Sequence, residues 1–414
     1  MQFKKTLAMC ILAGLGLVLG CSKSNGANPV SASSAVPAAQ TAPAQQGKVQ
    51  VDPTQKFTHF RVGEKNVKSI YADGKIMWIG TSGGVIRYDT TDDSYKVFDT
   101  SNGLLSTGAF FLNKIKGHIA VGTYGGGMSV LQDDGVTWKN YNIPQGVGDP
   151  FVYGIIEVAN GDIWIATWSG VNRVRGGALD DPSKWDLFTI ESTNGGVPND
   201  WVYGVAEGKN GEIWLATEGG VARFLNGKWD NWNHAKGIGA PYEKVKDAIT
   251  FKGGPGGASE HHAQQMRELN KGIDQDKDDY DASEHHTQKK KEIGMQTVDV
   301  AYNPNYIISL VVDRNGDVWA GTWGGGLSRF DGKTWKTYTT ADGLPGNHIF
   351  MLHKDVNEQI WIGTNKGLAL WQDGKFKVMT RADGLLSDDV FSMATTKDGG
   401  KWLGSYGGVT YLRP

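Results

Sequence analysis

The stretch Ile360-Trp361-Ile362-Gly363-Thr364, followed by a glycine-containing turn and a second apolar run, decides the fold because its pattern recurs along the chain. Seven segments share the pattern: Ile76–Thr81, Ile119–Thr123, Ile163–Thr167, Ile213–Thr217, Val318–Thr322, Ile360–Thr364 and Lys401–Ser405. Most copies begin about 41 to 50 residues apart, and one gap is 105 residues. Such self-similarity indicates an architecture built from one repeated unit.

Each repeat divides into four short strands separated by turn residues. In the sixth copy, alternation and turn signals predict strands over residues 347–354, 359–364, 368–371 and 375–380. Asp373-Gly374 is a typical hairpin turn between the last two. Four antiparallel strands in one repeat form a propeller blade, and blades bury their faces only by stacking. The abundance of glycine (58 residues) and tryptophan (15 residues) fits an all-β fold of this kind.

The ends of the repeat region complement each other. The last copy stops after its third strand, Gly408 to Leu412, and a lone fourth-strand pattern, Phe57 to Phe60, precedes the first copy. Together these pieces make one blade, and pairing them removes two exposed sheet edges. The sequence therefore predicts an all-β, seven-bladed β-propeller over residues 51–414, closed by an N-terminal strand in the last blade.

The repeat core, with Asp342-Gly343-Leu344-Pro345 before the next strand, resembles the two-component-regulator propeller repeat, and the resemblance covers nearly all of residues 55–414. It implies a periplasmic, ligand-binding sensor part of a membrane-bound histidine kinase. This sequence departs from that pattern, because we expect it to contain no later transmembrane helix and no kinase or DNA-binding domain. We therefore expect a binding role, sensor-like or scaffolding, without an output domain of its own.

The N-terminal region has the features of an export signal. Lys4 and Lys5 precede an apolar run that is too short to span a bilayer, which predicts a signal peptide over residues 1–20. The run ends in a sequence that resembles the lipobox of bacterial lipoproteins, with Cys21 as the lipidated residue. Ser22 after this cysteine implies the outer membrane. An ordinary cleaved signal or a poor membrane anchor is the alternative interpretation.

Two compositional features limit the function of the mature chain. Residues 21–50 are rich in Ala, Pro, Ser and Gln, which predicts a flexible tether between the membrane and the propeller. The mature chain has no cysteine after Cys21, which excludes disulfides and cysteine-based metal sites. The net charge of −2 gives no basic excess, so we expect no nucleic acid partner.

The residue after each Gly-Thr, Ala-Thr or Gly-Ser pair occupies an equivalent place near the central channel. Function usually lies on loops held by a rigid scaffold. The predicted ring consists of Ser82, Tyr124, Trp168, Glu218, Trp323, Asn365 and Tyr406. Its aromatic rings suit a sugar, a peptide or an aromatic ligand, and we expect an envelope protein, a glycan or a small ligand as the partner. Packing between blades is the alternative explanation for the aromatic members, and Glu218 fits packing less well.

The long gap predicts an insertion over residues 239–301, in a connection between blades 4 and 5. It contains two Ala-Ser-Glu-His-His motifs and an aspartate-rich run, and we expect a charged helical hairpin or disorder. The motifs supply His261, His262, His285 and His286. Imidazole and carboxylate groups suit Zn, Cu or Ni, so a divalent metal is one possible cofactor. A solvated charged linker is the other interpretation.

The sequence contains no catalytic constellation, and we expect binding rather than catalysis. HExxH and GxSxG motifs are absent. A propeller enzyme such as a polysaccharide lyase remains an alternative, supported by Glu218 together with His348. Three hypotheses therefore stay open: an envelope ligand-binding or scaffolding propeller, a metal-binding protein that uses the insertion, and an enzyme acting in the channel.

Overall fold

The structure is a computed structural model that describes residues 45–48, 54–249 and 301–414. The described residues form seven four-stranded antiparallel units, which we number as blades 1 to 7 in the order of the repeats. Within each blade the first strand lies innermost and the fourth lies outermost. The prediction of a seven-bladed β-propeller is confirmed.

Blades 2 to 6 each take four strands from one continuous stretch of chain. Their strands, from inside outwards, are Ala109–Ile115, His118–Thr123, Met128–Leu131 and Trp138–Tyr141 in blade 2; Val152–Glu157, Ile163–Thr167, Gly170–Val174 and Trp185–Phe188 in blade 3; Val202–Glu207, Ile213–Thr217, Gly220–Leu225 and Lys228–Trp232 in blade 4; Asn303–Val312, Val318–Trp323, Leu327–Phe330 and Trp335–Tyr338 in blade 5; and Ile349–Lys354, Ile360–Thr364, Gly367–Gln372 and Lys375–Met379 in blade 6.

Two long strands join blades 7 and 1 and close the ring. Phe57–Asp73 begins as the outermost strand of blade 7, where Phe57 pairs with Leu412, and continues as the innermost strand of blade 1, where Val67 pairs with Thr81. Lys401–Leu412 forms the second and third strands of blade 7. We call this junction of blades 7 and 1 the seam.

The remaining strands complete the two blades at the seam. Ser392–Thr395 is the innermost strand of blade 7. Ile76–Thr81, Gly84–Asp89 and Ser94–Phe98 follow the long strand in blade 1. Gln45–Lys48 pairs antiparallel with Ser94–Phe98 as a fifth, outer strand of blade 1. This strand lies inside the segment that we expected to be a flexible tether, so that expectation is wrong for these four residues.

The Thr or Ser of the repeat closes the turn between the second and third strands of each blade. In blade 6 the Thr364 hydroxyl donates to the carbonyl oxygen of Gly367 at 2.9 Å and accepts from the amide of Lys366 at 3.0 Å. Equivalent hydroxyl-to-glycine bonds of 2.7 to 3.2 Å occur in the other six blades. In blade 1, Gly84 has a φ of 121°, which explains why a glycine stands at this turn.

The Asp-Gly-Leu loops between blades are capped 3₁₀ turns. In Thr339–Leu344, the Thr339 amide donates to the Asp342 carboxylate at 2.8 Å, and Gly343 ends the turn in the left-handed region. Among the described residues, the 3₁₀ turns that end in a left-handed glycine in this way are Thr100–Asn102, Ile143–Gln145, His234–Lys236, Thr340–Asp342 and Arg381–Asp383. Other 3₁₀ turns are Arg175–Gly177, Pro182–Lys184 and Lys246–Ala248. The apolar residue after the left-handed glycine, such as Leu344, is buried between blades.

The hydrophobic core lies between neighbouring blades. The six repeat tryptophans predicted to be core residues are buried: Trp78, Trp164, Trp214, Trp319, Trp361 and Trp402. Small residues in the second strands let the blades approach closely. A Cβ on Gly363 would lie 2.4 Å from the carbonyl oxygen of Val390 in the next blade. The core is therefore divided into layers, each shared by two blades.

The insertion leaves and re-enters the propeller on the loop face. The amide of Ala240 donates to the carbonyl oxygen of Gly325, in the strand 2–3 turn of blade 5, and the Tyr302 hydroxyl donates to the carbonyl oxygen of Ala240 at 2.7 Å. One short α-helix, Tyr242–Val245, lies in its described beginning. Residues 250–300, and with them the predicted helical hairpin, lie outside the described residues. Among the helices that the structure describes, none has the length and apolar character needed to cross a membrane.

Candidate functional site

A register shift near the start of the inner strand in blades 1 to 6 supplies most of the wall of the central channel. In blade 6, Ile349 pairs with Thr364 and Met351 pairs with Gly363, which leaves Phe350 as a bulged residue facing the channel. In every blade, the Gly or Ala before the Thr or Ser of the second strand pairs with a residue of the first strand. The residue immediately before that first-strand partner lines the channel. These seven residues are Lys68, Phe110, Tyr153, Tyr203, Ile308, Phe350 and Phe391.

The aromatic members of this set join with two neighbours into a continuous arc. Successive ring centroids lie 4.8 to 6.0 Å apart, within the range of favourable aromatic contacts. The arc, which we call the aromatic arc, consists of Phe110, Tyr153, Tyr203, Tyr306, Trp323, Phe350 and Phe391. It passes through blades 2 to 7, so it covers the channel wall of every blade except blade 1.

Lys68 occupies the equivalent position of the channel wall in blade 1. Its ammonium nitrogen lies 4.2 Å from the centroid of the Phe391 ring, a cation–π contact across the seam. Burial lowers the pKa of Lys68 to about 8, and the nearby Asp389 carboxylate partly opposes this shift. Burial, with the neighbouring Asp388, raises the pKa of Asp389 above its usual range. Both charges therefore lie in a poorly solvated part of the channel.

The channel encloses a cavity of about 650 Å³. This is the size range of small-molecule sites, which are mostly apolar with a few placed polar groups. Deeper in the cavity, the Nε2 atom of His353 lies 2.9 Å from the Thr395 hydroxyl. Burial lowers the pKa of His353 to about 4, so this imidazole is neutral at pH 7. Lys68 and Asp389 are therefore the charged side chains among the described residues of the wall.

The predicted ring of loop residues lines this cavity only in part. Tyr124, Trp168, Trp323 and Tyr406 contribute to its wall. Tyr406 is 51% exposed and lies at the mouth, where its ring meets Phe391 edge-on at 4.7 Å. Tyr124 and Trp323 are only 2% and 5% exposed, so most of each ring packs between blades, as the packing alternative proposed.

Glu218 and Asn365 lie outside the described cavity wall, in contrast to the prediction. Glu218 is 2% exposed, behind the arc. Burial raises the pKa of Tyr203 and of Tyr306, and the charge of Glu218 adds to both shifts. This carboxylate therefore acts on the channel through two tyrosines of the aromatic arc instead of facing a ligand directly.

His348 has no access to the channel as an exposed base. It is 1% exposed, and its Nε2–H donates to the carbonyl oxygen of Ala301 at 2.6 Å. Burial lowers its pKa to about 4. The suggestion that Glu218 and His348 support a lyase-like site therefore loses its geometric basis, because both side chains are buried in packing.

The bulged residues were missed by the sequence reasoning. Alternation alone predicts ordinary two-faced inner strands, whereas one extra residue in a strand shifts its register. A signal was present, since five of the seven equivalent positions carry Phe or Tyr. The first strands of the repeats, aligned in the same way as the second strands, show this recurrence.

The predicted metal ligands and the lipidation site lie outside the described residues. His261, His262, His285 and His286 fall in residues 250–300, and Cys21 falls in residues 1–44. Within the described ranges, no group of three or more His, Cys, Asp or Glu side chains has a metal-binding arrangement. Metal binding by the insertion therefore stays a prediction.

A comparison with known families agrees with the repeat geometry. Residues 196–219 and 301–324, in and before blades 4 and 5, match the model of the two component regulator propeller. The chain carries two-component-regulator propeller repeats. No curated protein matches it.

Solved structures share the fold of these regulator propeller repeats. The extracellular domain of a putative hybrid two component system from B. thetaiotaomicron has a TM-score of 0.60 at 19% identity, over 90% of this chain and 41% of that one. A second such domain from the same organism has a TM-score of 0.58 at 17% identity, over 87% and 40%. The chain thus spans about two fifths of their length.

An enzyme is also among the structural neighbours. An inactive variant of virginiamycin B lyase from Staphylococcus aureus, solved with quinupristin, has a TM-score of 0.56 at 11% identity, over 86% of this chain and 99% of that one. At these identities the likeness of all three structures establishes the propeller fold.

Proposed function

We propose that this chain is an extracytoplasmic, sensor-like propeller that binds a small ligand in its central channel. The observation that carries the proposal is the cavity of about 650 Å³ lined by the aromatic arc and Lys68. Rigid aromatic walls offer a ligand large contact areas at low entropic cost. The regulator propeller repeats, and the description of two structural neighbours as extracellular domains of two component systems, support a sensing role outside the cytoplasm.

The proposed location is the bacterial cell envelope, with a lipid on Cys21 as the anchor. The short apolar segment that ends at Cys21 supports this part of the proposal. Replacing Cys21 with Ala is expected to move the protein from the membrane fraction to the soluble fraction and to abolish labelling by a palmitate analogue. Membrane association that survives Cys21→Ala would reject the lipid anchor.

Ligand binding in the channel is tested by blocking the channel. Thermal stabilisation of the full-length protein is measured against a panel of oligosaccharides, short peptides and aromatic small molecules. Ile308→Trp places a large ring at the one aliphatic bulge position, so it is expected to abolish stabilisation by any channel ligand. Ile143→Trp makes the same substitution at a side chain that is 58% exposed on a 3₁₀ turn, and serves as the matched control.

Two results would reject the channel as the binding site. One is a panel in which no compound stabilises the protein. The other is a ligand whose binding is equally strong in the wild type, Ile308→Trp and Ile143→Trp.

A further inference from the structure

Two opposite charges face the cavity on the two sides of the seam. Lys68 belongs to the innermost strand of blade 1, and Asp389 precedes the innermost strand of blade 7. Both are half-buried and both line the cavity. The described residues provide neither side chain with an ion pair, although the two charges are close enough to influence each other.

Isolated charges in a poorly solvated place are costly unless a partner compensates them. Lys68 has the Phe391 ring as its neighbour, and the hydrogen bond that Asp389 makes among the described residues runs from its backbone amide to the Ser387 hydroxyl. Desolvation is the largest cause of both pKa shifts, so each charged form is disfavoured at this place in the channel wall. A ligand that brings one negative and one positive group would compensate both at once.

The surroundings of this charge pair are apolar and aromatic. Phe391 lies beside Lys68, and the Tyr406 ring packs edge-on against Phe391 at the channel mouth. From Phe391 the aromatic arc continues to Phe350 at 5.2 Å and to Trp323 at 6.0 Å from Phe350. A ligand held at the seam would therefore extend its remaining part along aromatic faces.

We propose that the channel binds a zwitterion of the α-amino-acid type with an aromatic or other apolar side chain. Its carboxylate pairs with the Lys68 ammonium, its ammonium pairs with the Asp389 carboxylate, and its side chain lies against Phe391 and Phe350. An α-amino acid suits this place because its two charged groups share one carbon and reach adjacent blades together. The inference rests on the proposed function and deepens it by naming the ligand class.

The test compares three ligands that share one ring system. Isothermal titration of the full-length protein uses L-tryptophan, indole-3-propionate, which lacks the amine, and tryptamine, which lacks the carboxylate. L-Tryptophan is expected to bind at least about tenfold more tightly than either analogue, the loss that follows from removing one charge-assisted contact.

Variants of the two charged residues assign each contact. Lys68→Met is expected to weaken L-tryptophan and indole-3-propionate at least about tenfold and to leave tryptamine unchanged. Asp389→Asn is expected to weaken L-tryptophan and tryptamine and to leave indole-3-propionate unchanged. Lys75→Met, at an exposed lysine in the first hairpin of blade 1, and Asp133→Asn, whose side chain is 99% exposed, are the controls.

The outcomes separate this inference from the proposed function. The proposal of a zwitterionic ligand is overturned if the three compounds bind equally or if none of them binds. It is also overturned if their binding is unaffected by Lys68→Met and Asp389→Asn. If another compound then binds in a manner that Ile308→Trp abolishes, the channel is still a ligand site of another class. If Ile308→Trp affects no ligand at all, both proposals fail.

Discussion

The Lys68 ammonium lies 4.2 Å from the centroid of Phe391, so the junction that closes the propeller also holds the single positively charged side chain among the described residues of the channel wall. A cation–π contact is worth about 0.5 to 2 kcal/mol, less than the cost of desolvating an ammonium group. The contact therefore reduces the cost of placing a lysine there without removing it. Lys68 therefore lowers the stability of the fold and places a positive charge in the channel.

Replacing Lys68 with Met is expected to stabilise the protein at pH 7. The pKa of Lys68 is about 8 in the fold against 10.5 ordinarily, so the unfolded chain binds more protons between these values. The stability of the wild type therefore rises with pH across this window, by about 3 kcal/mol from this group. Denaturant unfolding at pH 7 and pH 10.5 measures the effect.

The difference in the free energy of unfolding between Lys68→Met and wild type isolates this lysine, because the contributions of the other titrating groups cancel. It should favour the variant at pH 7 and shrink by about 3 kcal/mol at pH 10.5. A difference that stays constant with pH would contradict the lowered pKa. Lys75→Met controls for the loss of a lysine at an exposed position.

His348 is expected to make the protein sensitive to mild acid. Burial lowers its pKa to about 4, against 6.5 ordinarily. The unfolded chain gains a proton first, so stability is lost as pH falls from 6.5 towards 4, by about 3 kcal/mol from this residue. His348→Gln, measured by denaturant unfolding at pH 7 and pH 4.5, should lose less stability than wild type. An equal loss in both proteins would exclude His348 as a source.

Gly84 and Gly74 form a matched pair of substitutions in blade 1. A Cβ on Gly84, at φ 121°, would lie 2.3 Å from the carbonyl oxygen of Phe98, whereas Gly74, at φ 66°, has no atom within 4 Å of its Cβ position. Gly84→Ala is expected to cost about 3 kcal/mol or more, because it adds a backbone clash to conformational strain. Gly74→Ala should cost about 1 kcal/mol. Equal costs would show that conformation alone, and not the clash, governs the turn.

Phe60 is expected to be a main stabilising residue of the seam. Its ring stacks on Trp402 and packs on Tyr88, each at 5.1 Å between centroids. Phe60→Ala should lower the free energy of unfolding by about 3 kcal/mol, the typical cost of deleting a packed aromatic ring. Val356→Ala, at a turn residue that is 53% exposed, should change it by less than about 0.5 kcal/mol. Similar effects of the two variants would mean that the seam is not tightly packed.

The repeat predicted the architecture because each blade satisfies its own hydrogen bonds with local strands and turns. The second strand predicted over residues 359–364 differs by one residue from Ile360–Thr364, and the shared blade at the chain ends follows the predicted pairing. Alternation and turn residues are visible in one repeat, and the edge pairing follows from comparing the first and last copies.

The channel was less accessible to sequence reasoning. The loop residues near the channel were identified, but the backbone bulge beside each of them, which turns Phe350 and Lys68 inwards, follows from register and not from composition. Glu218 was expected to face a ligand because it is charged, and it lies instead behind the arc. Gln45–Lys48 was expected to be a tether because its composition is polar, and it adds to a sheet edge through backbone bonds that composition does not report.

The pairing of Phe57 with Leu412 has a consequence for the order in which the molecule is made. A growing polypeptide exposes Phe57–Asp73 early, but the partner of its first half is synthesised some 350 residues later, as the separation of His59 and Thr410 by 351 residues shows. The intervening blades can stack as they emerge, since each takes its strands from one stretch of chain. The ring itself forms in one late step, which brings together strands at the largest sequence separation in the domain. Until that step Phe57–Arg61 lacks its partner strand, and an edge exposed in this way can pair with another chain.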